Sequence, residues 1–303
     1  MKILITGSSG TIGTRLFECL LPQHEVVGVD INPNKWNPQL QAHTISLDLR
    51  KSEVLNSLPK DFDLVIHLAA NARVYELVKD PQQALDNMII NFNVLEFMRG
   101  NGISNIIFAS SRETYGNIMG DKAIPEDIVR LENCESPYAA SKVTGEALTH
   151  AYSKVYGMDF VIVRFSNVYG MYDDSDRVIP LWIRQCSNSE DIIVYGKQKV
   201  LDFTYIDDAM VALTGMISQF NQVKGNTFNI ASGVGVNLLS IARQIKILLK
   251  ANSHIIEDDN RPGEVWKFEA DISRARSLLD FRPEIDIEEG LQKTVDWYAK
   301  HSL

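Results

Sequence analysis

Cysteine is scarce in this chain of 303 residues: Cys19, Cys134 and Cys186 are odd in number and far apart. They offer neither a disulfide framework nor metal-ligand spacing, which fits a reducing compartment and points to the cytoplasm. Long hydrophobic runs are missing as well. The apolar start Met1-Lys-Ile-Leu-Ile5 is interrupted by Thr6-Gly7-Ser8-Ser9-Gly10, too early for a leader or an anchor. No later run approaches the roughly 20 apolar residues that span a bilayer. Basic charge is in deficit: 30 Lys and Arg against 39 Asp and Glu give a net charge of −9. With a pI near 5.2 and no basic stripe, a nucleic-acid footprint is excluded. Internal repeats and low-complexity segments are also absent.

What is present suits a globular protein of about two domains, since 45% of the residues are hydrophobic, enough for a sizeable core. Short β-rich runs at 2–6, 25–30, 44–47, 64–69, 105–110 and 160–164 alternate with helical patterns at 11–21, 53–58, 81–99 and 137–156. That alternation predicts an α/β fold, a Rossmann-type doubly wound parallel sheet. Several of the runs are apolar on both faces, as buried parallel strands should be. After Arg164 the pattern loosens into Gly-, Asp- and Pro-bearing loops with isolated helices at 179–186, 208–218, 239–249 and 288–300. The expected division is a dinucleotide-binding domain over 1–165, to which the chain returns near 200–222, and a smaller, irregular substrate domain over 166–303.

Gly7-Ser-Ser-Gly10-Thr11-Ile12-Gly13 follows the first strand and opens the first helix. Glycines permit a tight turn and a close backbone approach, and the helix N-terminus turns unpaired N–H groups toward phosphate. Asp30 closes the second strand, where a carboxylate accepts hydrogen bonds from an adenosine ribose and repels a 2′-phosphate. Ile31 and Asn32 follow with no arginine, so NAD is expected rather than NADP. Asp48-Leu49 and Leu68-Ala69-Ala70 fall at later strand ends, the edge where open α/β sheets bind ligands. They serve either the cofactor or ordinary packing.

Tyr138 and Lys142 in Ser136-Pro-Tyr138-Ala-Ala-Ser-Lys142 lie one helical turn apart on a shared face. A nearby cation favours phenolate over phenol, which would make Tyr138 a usable base. The fifth strand delivers Ser110, Ser111, Arg112 and Glu113 to the same sheet edge, in Phe108-Ala-Ser110-Ser111-Arg-Glu113-Thr-Tyr115-Gly116.

In this order, the glycine loop, Asp30, Ser111 and the Tyr138/Lys142 pair resemble the extended short-chain dehydrogenase/reductases, and more narrowly the NAD-dependent nucleotide-sugar epimerase/dehydratase family. Further marks run almost the length of the chain: His67-Leu-Ala-Ala70, Asn87, Arg164-Phe165-Ser-Asn167-Val-Tyr-Gly170, Asp202-Phe-Thr-Tyr-Ile-Asp-Asp208, Asn229-Ile-Ala-Ser-Gly233 and Arg261-Pro-Gly-Glu264. The resemblance implies that Tyr138 is the base at a sugar hydroxyl, that Lys142 lowers the Tyr138 pKa and holds the nicotinamide ribose, and that Ser111 bonds the same substrate oxygen. It implies cofactor contacts for Asn87, Ser110 and Phe165, a contact near the substrate phosphates for Asn167, and phosphate binding for Arg261. It also implies a homodimer through helices 81–99 and 137–156, with Met88, Phe92, Val143 and Ala147 either at the interface or packed within the monomer.

Two departures from the family pattern bear on the substrate. Leu201 stands where an arginine commonly grips the nucleotide diphosphate, which leaves Arg177 or Lys199 to reach in. Glu113 occupies the position of the base of 4,6-dehydratases and of a Glu in C6 decarboxylases, but the accompanying acid is replaced by Arg112, which cannot donate a proton near neutrality. Glu113 is thus a structural ion-pair partner, a substrate-binding residue or a base. The expected activity is a 4-epimerase acting through a transient 4-keto sugar on a UDP-hexose or UDP-hexuronic acid. A dehydratase or decarboxylase using Glu113 is the alternative, and a non-catalytic NAD-binding regulator the third reading.

Overall fold

The computed structural model describes residues 1–118 and 122–301. Its first half runs β1 (Lys2–Thr6), α1 (Thr11–Leu20), β2 (Glu25–Asp30), β3 (Thr44–Ser46), β4 (Leu64–His67), α2 (Val74–Lys79), α3 (Gln82–Asn101), β5 (Asn105–Ser111), α4 (Pro137–Tyr156) and β6 (Asp159–Phe165). The second half continues with β7 (Asn167–Tyr169), α5 (Val178–Ser187), β8 (Ile192–Tyr195), β9 (Val200–Tyr205), α6 (Ile206–Ser218), α7 (Phe220–Val223) and β10 (Thr227–Ile230). It closes with β11 (Gly235–Asn237), α8 (Leu238–Leu248), β12 (Ile255–Asp258), β13 (Lys267–Phe268), α9 (Ser273–Leu279) and α10 (Ile287–Lys300).

Seven strands form one parallel sheet in the order β10-β6-β5-β4-β1-β2-β3. The order reverses between β1 and β4, the topological switch point at which doubly wound sheets bind ligands. Because successive side chains point to opposite faces, Ile3 and Ile5 of β1 enter one apolar core and Leu4 the other. The same division sends Ile107 to one side and Ile106 and Phe108 to the other, so the strands need apolar residues throughout. Helices α1 and α6 pack together, as do α3 and α4.

Helix α4 has clear local causes. The Ser136 side chain accepts a hydrogen bond from the Ala139 N–H at 3.1 Å, Pro137 occupies the first turn, and Gly157 ends the helix at φ 72°. This places Tyr138 in the first turn, where α4 meets the end of β5.

The remaining strands make small sheets beside the large one: β11-β9-β13 with β7 against β9, and β12 with β8. The division is not linear in sequence, because β10 pairs in parallel with β6 from Thr227↔Ile162 to Ile230↔Phe165. Three local expectations need correction. Residues 53–57 belong to the 3-10 segment Ser52–Ser57, not an α-helix, and Leu58 follows it in extended conformation. A separate α2 precedes α3, broken by Asp80-Pro81 because proline restricts the residue before it. The strand β10 was not anticipated, since its four residues are too few to show a period. Among the described residues no helix is long and apolar enough to cross a membrane.

Candidate active site

The carboxyl ends of the strands open into a cleft of about 1030 Å³, lined by the glycine loop at one end, by Ser111, Tyr138 and Lys142 near its floor, and by Lys199, Leu201 and Arg261 from the smaller sheets. That volume is at the upper end for small-molecule sites, roughly 300–1,000 Å³, and suits two ligands end to end.

The glycine loop is shaped by its neighbours. Gly7 has φ +72°, and a Cβ there would lie 2.8 Å from the Ala69 nitrogen; a Cβ on Gly13 would lie 2.1 Å from the Gly7 oxygen. Gly10 is different: its Cβ would meet only the Gly7 oxygen at 3.5 Å, so protein packing does not demand glycine there. Gly10 caps α1 with no side-chain hydrogen bond and no acidic residue in the first turn. An open cap with free N–H groups fits a pyrophosphate. Asp30 accepts from the Ser9 N–H at 3.0 Å and from the Asn32 N–H at 2.9 Å, which fixes its carboxylate beside the loop. Thr11 Oγ1 donates to the Tyr172 carbonyl, and Ile12, Ile31, Asn32, Leu68, Ala69, Ala70 and Phe165 also line the cleft. Asp48 and Leu49 do so too, with Arg50 bonded to Asp48 through both carboxylate oxygens and holding that carboxyl below its usual range.

Asn87 is not on this wall. Buried one layer back, it accepts from the Asn71 N–H at 2.7 Å and donates to the Asn71 carbonyl at 2.9 Å, so it positions a lining residue and does not reach the cleft itself. Ser110 turns its hydroxyl to Glu146. Glu146 in turn holds Arg164 at 2.6 Å, and Arg164 donates to the Tyr115 hydroxyl at 3.1 Å, a buried network that braces α4 against β5 and β6.

Tyr138, Lys142 and Ser111 all line the same cleft. Ser111 lies close enough to Tyr138 to favour its ionised form. Burial raises the Tyr138 pKa above its ordinary value, against the lowering pull of Ser111, Arg177 and Arg112, while Glu113 adds to the rise. The expected lowering by Lys142 is therefore corrected: desolvation prevails, and the Lys142 ammonium donates to the Ala109 carbonyl at 2.7 Å, with its nitrogen 5.9 Å from the Tyr138 ring centroid. Burial pulls Lys142 itself down to about 8, partly offset by Glu146. Buried His67 accepts or donates at Thr6 Oγ1, 2.6 Å away, and burial depresses it to about 3.

Beside Ser111, Arg112 and Glu113 form a buried ion pair at 2.8 Å. Arg112 also donates to Asn167 Oδ1 at 3.2 Å, and Asn167 donates to the Asp202 carbonyl. Burial raises the Glu113 pKa; Arg112 opposes the rise and Glu264 adds to it. Lys199 pairs with Glu264 at 2.6 Å, and Arg177 with Asp173 at 3.3 Å. Leu201 packs on β9, in register with Phe268 of β13. Arg261 lies 3.8 Å from the Tyr195 ring centroid and 4.8 Å from that of Tyr75. Those two tyrosines were missed in the sequence; the only signal was an aromatic residue at the end of a strand and another in a short helix.

Residues 3–231 match the NAD dependent epimerase/dehydratase family. A putative UDP-glucose 4-epimerase of Methanocaldococcus jannaschii is 32% identical, over 99% of each chain. Among solved structures, the UDP-glucose 4-epimerase of Thermotoga maritima with UDP-glucose superposes at a TM-score of 0.91 with 26% identity, covering 99% of each chain. The UDP-glucuronic acid 4-epimerase of Bacillus cereus, in complex with UDP-glucuronic acid and NAD, superposes at 0.89 with 28% identity, over 99% of this chain and 100% of that one. A cleft with an open glycine cap, the Asp30 carboxylate beside it and Ser111, Tyr138 and Lys142 in its lining agrees with these likenesses, and the chain belongs to the NAD dependent epimerase/dehydratase family of enzymes, with NAD as cofactor.

Proposed function

We propose that the protein is a nucleotide-sugar 4-epimerase that works through a transient 4-keto sugar, with a UDP-hexose or UDP-hexuronic acid as substrate. The observation that carries this reading is the combination of a Ser111/Tyr138/Lys142 floor with a Glu113 already paired to Arg112. Tyr138 takes the proton of the 4-hydroxyl and later returns it to the ketone oxygen. Ser111 shares that oxygen and fixes its distance from the phenol. Ser111, Arg177 and Arg112 favour the negative charge that develops on Tyr138, and Lys142, held by the Ala109 carbonyl, bonds the nicotinamide ribose. NAD, when bound, supplies the hydride acceptor for oxidation and the donor for the return to the other face of the sugar. Gly7, Gly10, Gly13 and Asp30 hold the dinucleotide, Lys199, Arg177 and Arg261 face the substrate phosphates, and Asn167 supports them.

Dehydration or C6 decarboxylation through Glu113 would need a carboxylate free to move a proton, and Glu113 is held by Arg112. The regulator reading rests on Leu201, and the Arg261 cation on the same cleft supplies the charge that Leu201 lacks. Incubation with UDP-hexoses and UDP-hexuronic acids, followed by NMR, should give C4 epimers; a 4-keto-6-deoxy product alone would replace this reading with dehydration.

The proposal extends to a homodimer through α3 and α4, where Leu85 and Phe92 are 48% and 47% exposed beside Met88 and Val143. It includes a cytoplasmic location, in keeping with three free cysteines. It also takes residues 1–165, completed by α6 and β10, as the dinucleotide domain and the rest of 166–303 as the substrate domain.

A further inference from the structure

Between β7 and α5 the segment Tyr172-Asp-Asp-Ser-Asp-Arg177 lines the cleft, and its contacts reach three loops of the dinucleotide half. The Tyr172 carbonyl accepts the hydroxyl of Thr11, the first residue of α1, at 3.0 Å, and the Tyr172 hydroxyl donates to Glu18 on the same helix at 3.0 Å. Asp174 pairs with Lys35 from the loop after β2, and Asp176 pairs at 3.1 Å with Arg73 from the loop after β4. The segment is therefore fastened at the carboxyl ends of β1, β2 and β4, on both sides of the point where the strand order reverses. A dinucleotide with its pyrophosphate on the α1 cap lies along that same edge.

The attachments differ in strength. Asp173 and Ser175 are buried, Arg184 of α5 donates to the Asp174 and Ser175 carbonyls at 2.9 Å each, and Tyr298 of α10 donates to the Asp173 carbonyl. These bonds fix the segment to the elements behind it. Toward the dinucleotide half, beyond the Tyr172 anchor, it is held by the two ion pairs and by one long contact, 3.5 Å from Arg177 Nη2 to the Ala72 carbonyl. The four side chains of the ion pairs are 45% to 68% exposed. Exposed pairs contribute little, and salt screens them.

We propose that residues 172–177 form a strap that governs NAD exchange, with Lys35–Asp174 and Arg73–Asp176 as its clasps: fastened, it retains the dinucleotide through many turnovers, and NAD enters or leaves when the clasps part. Retention suits the chemistry. A reaction that returns its hydride to the sugar ends with NAD as it began, so exchange serves loading and not turnover. The inference rests on NAD as the cofactor and not on which sugar is used. Because the clasping side chains bond one another and not the dinucleotide, the strap slows entry and exit alike and leaves affinity in place.

The test follows isotopically labelled NAD on the full-length protein, by release into excess unlabelled NAD, by uptake into NAD-free protein and by equilibrium dialysis. An Asp174→Asn/Asp176→Asn double variant should speed release and uptake together by about tenfold, with Kd changed by less than about twofold. Raising salt from about 0.05 to about 0.5 M should speed release from the wild type several-fold and from the variant hardly at all. Release from the variant at the wild-type rate overturns the strap. Faster release matched by weaker affinity, with no gain in uptake, overturns it too, since the two carboxylates would then belong to the binding surface and not to a gate. Where the variant fails to fold, salt-independent release from the wild type is enough to overturn it. None of these measurements uses a sugar, so their outcome stands apart from the 4-epimerase reading.

Discussion

Lys142 directs its ammonium at the Ala109 carbonyl oxygen, 2.7 Å away, and not at the Tyr138 phenol. The cation is buried, and desolvation holds its pKa at about 8, below the ordinary 10.5. A charge kept in such a place for chemistry is a cost to the fold. Lys142→Met should therefore abolish turnover yet leave the protein at least as stable. Below about pH 8 both folded and unfolded chains carry the charge, so the folded state bears the whole penalty. As pH rises through about 8 toward 10.5 the folded protein loses the proton first, and the penalty fades. Calorimetry at several pH values should show the variant's Tm advantage largest at neutral pH and smaller above it.

Gly10 and Gly13 separate ligand binding from folding. Gly13→Ala would put a methyl 2.1 Å from the Gly7 oxygen, so the loop must move and the protein should lose stability by several degrees in Tm. Gly10→Ala meets nothing closer than 3.5 Å and should melt close to wild type, while NAD affinity drops because the methyl covers the open helix cap. Equal NAD affinity in Gly10→Ala would show that the dinucleotide does not approach the cap.

Tyr138→Phe should lower kcat by about 10²–10⁴-fold with NAD still bound, the range for loss of a positioned acid–base group. Since burial raises the Tyr138 pKa, the base form grows as pH increases. Wild-type kcat should climb on the alkaline side of neutrality, and the residual rate of Tyr138→Phe should lack that limb. A shared limb would assign the titration to another group.

The buried Glu146–Arg164 pair, 2.6 Å apart, braces the catalytic helix. Glu146→Ala leaves an uncompensated guanidinium and should cost about 3–5 kcal/mol. A Glu146→Leu/Arg164→Met double variant removes both charges and should recover much of that loss in chemical denaturation. Since Glu146 also supports the charge on Lys142, Glu146→Gln should lower the Lys142 pKa further.

Phe92 stands out from α3 with 47% of its surface exposed. If α3 and α4 meet a second copy, Phe92→Glu should convert a dimer into monomers in sedimentation velocity without changing the secondary structure. A wild-type protein that sediments as a monomer at micromolar concentration would remove the dimer.

Features that arise within one segment were legible in the sequence. The glycine loop, Asp30 and α4 with its Ser136 cap depend on neighbours a few residues away, and their positions follow from strand and helix period. What could not be read depended on residues far apart in the chain. The Lys142 ammonium chooses a backbone carbonyl of β5, which no side-chain spacing reveals. The Asn87 side chain holds the Asn71 backbone, a contact set by packing that no spacing reveals. The state of Glu113 is governed first by burial and then by its neighbour Arg112 together with Glu264 and Lys199, which come from a distant part of the chain. The strand β10 was missed because four residues carry almost no pattern; β6 alone gives it meaning.

That last pairing also bears on how the molecule is made. During synthesis the first 165 residues can assemble six strands, but β6, largely apolar, is then an unprotected sheet edge until Thr227–Ile230 emerges and docks. Such an edge invites pairing with other chains. The dinucleotide half should thus be hard to produce by itself: a fragment ending at 165 would tend to aggregate, whereas a chain carried through β10 would close its own border before it could recruit a stranger's.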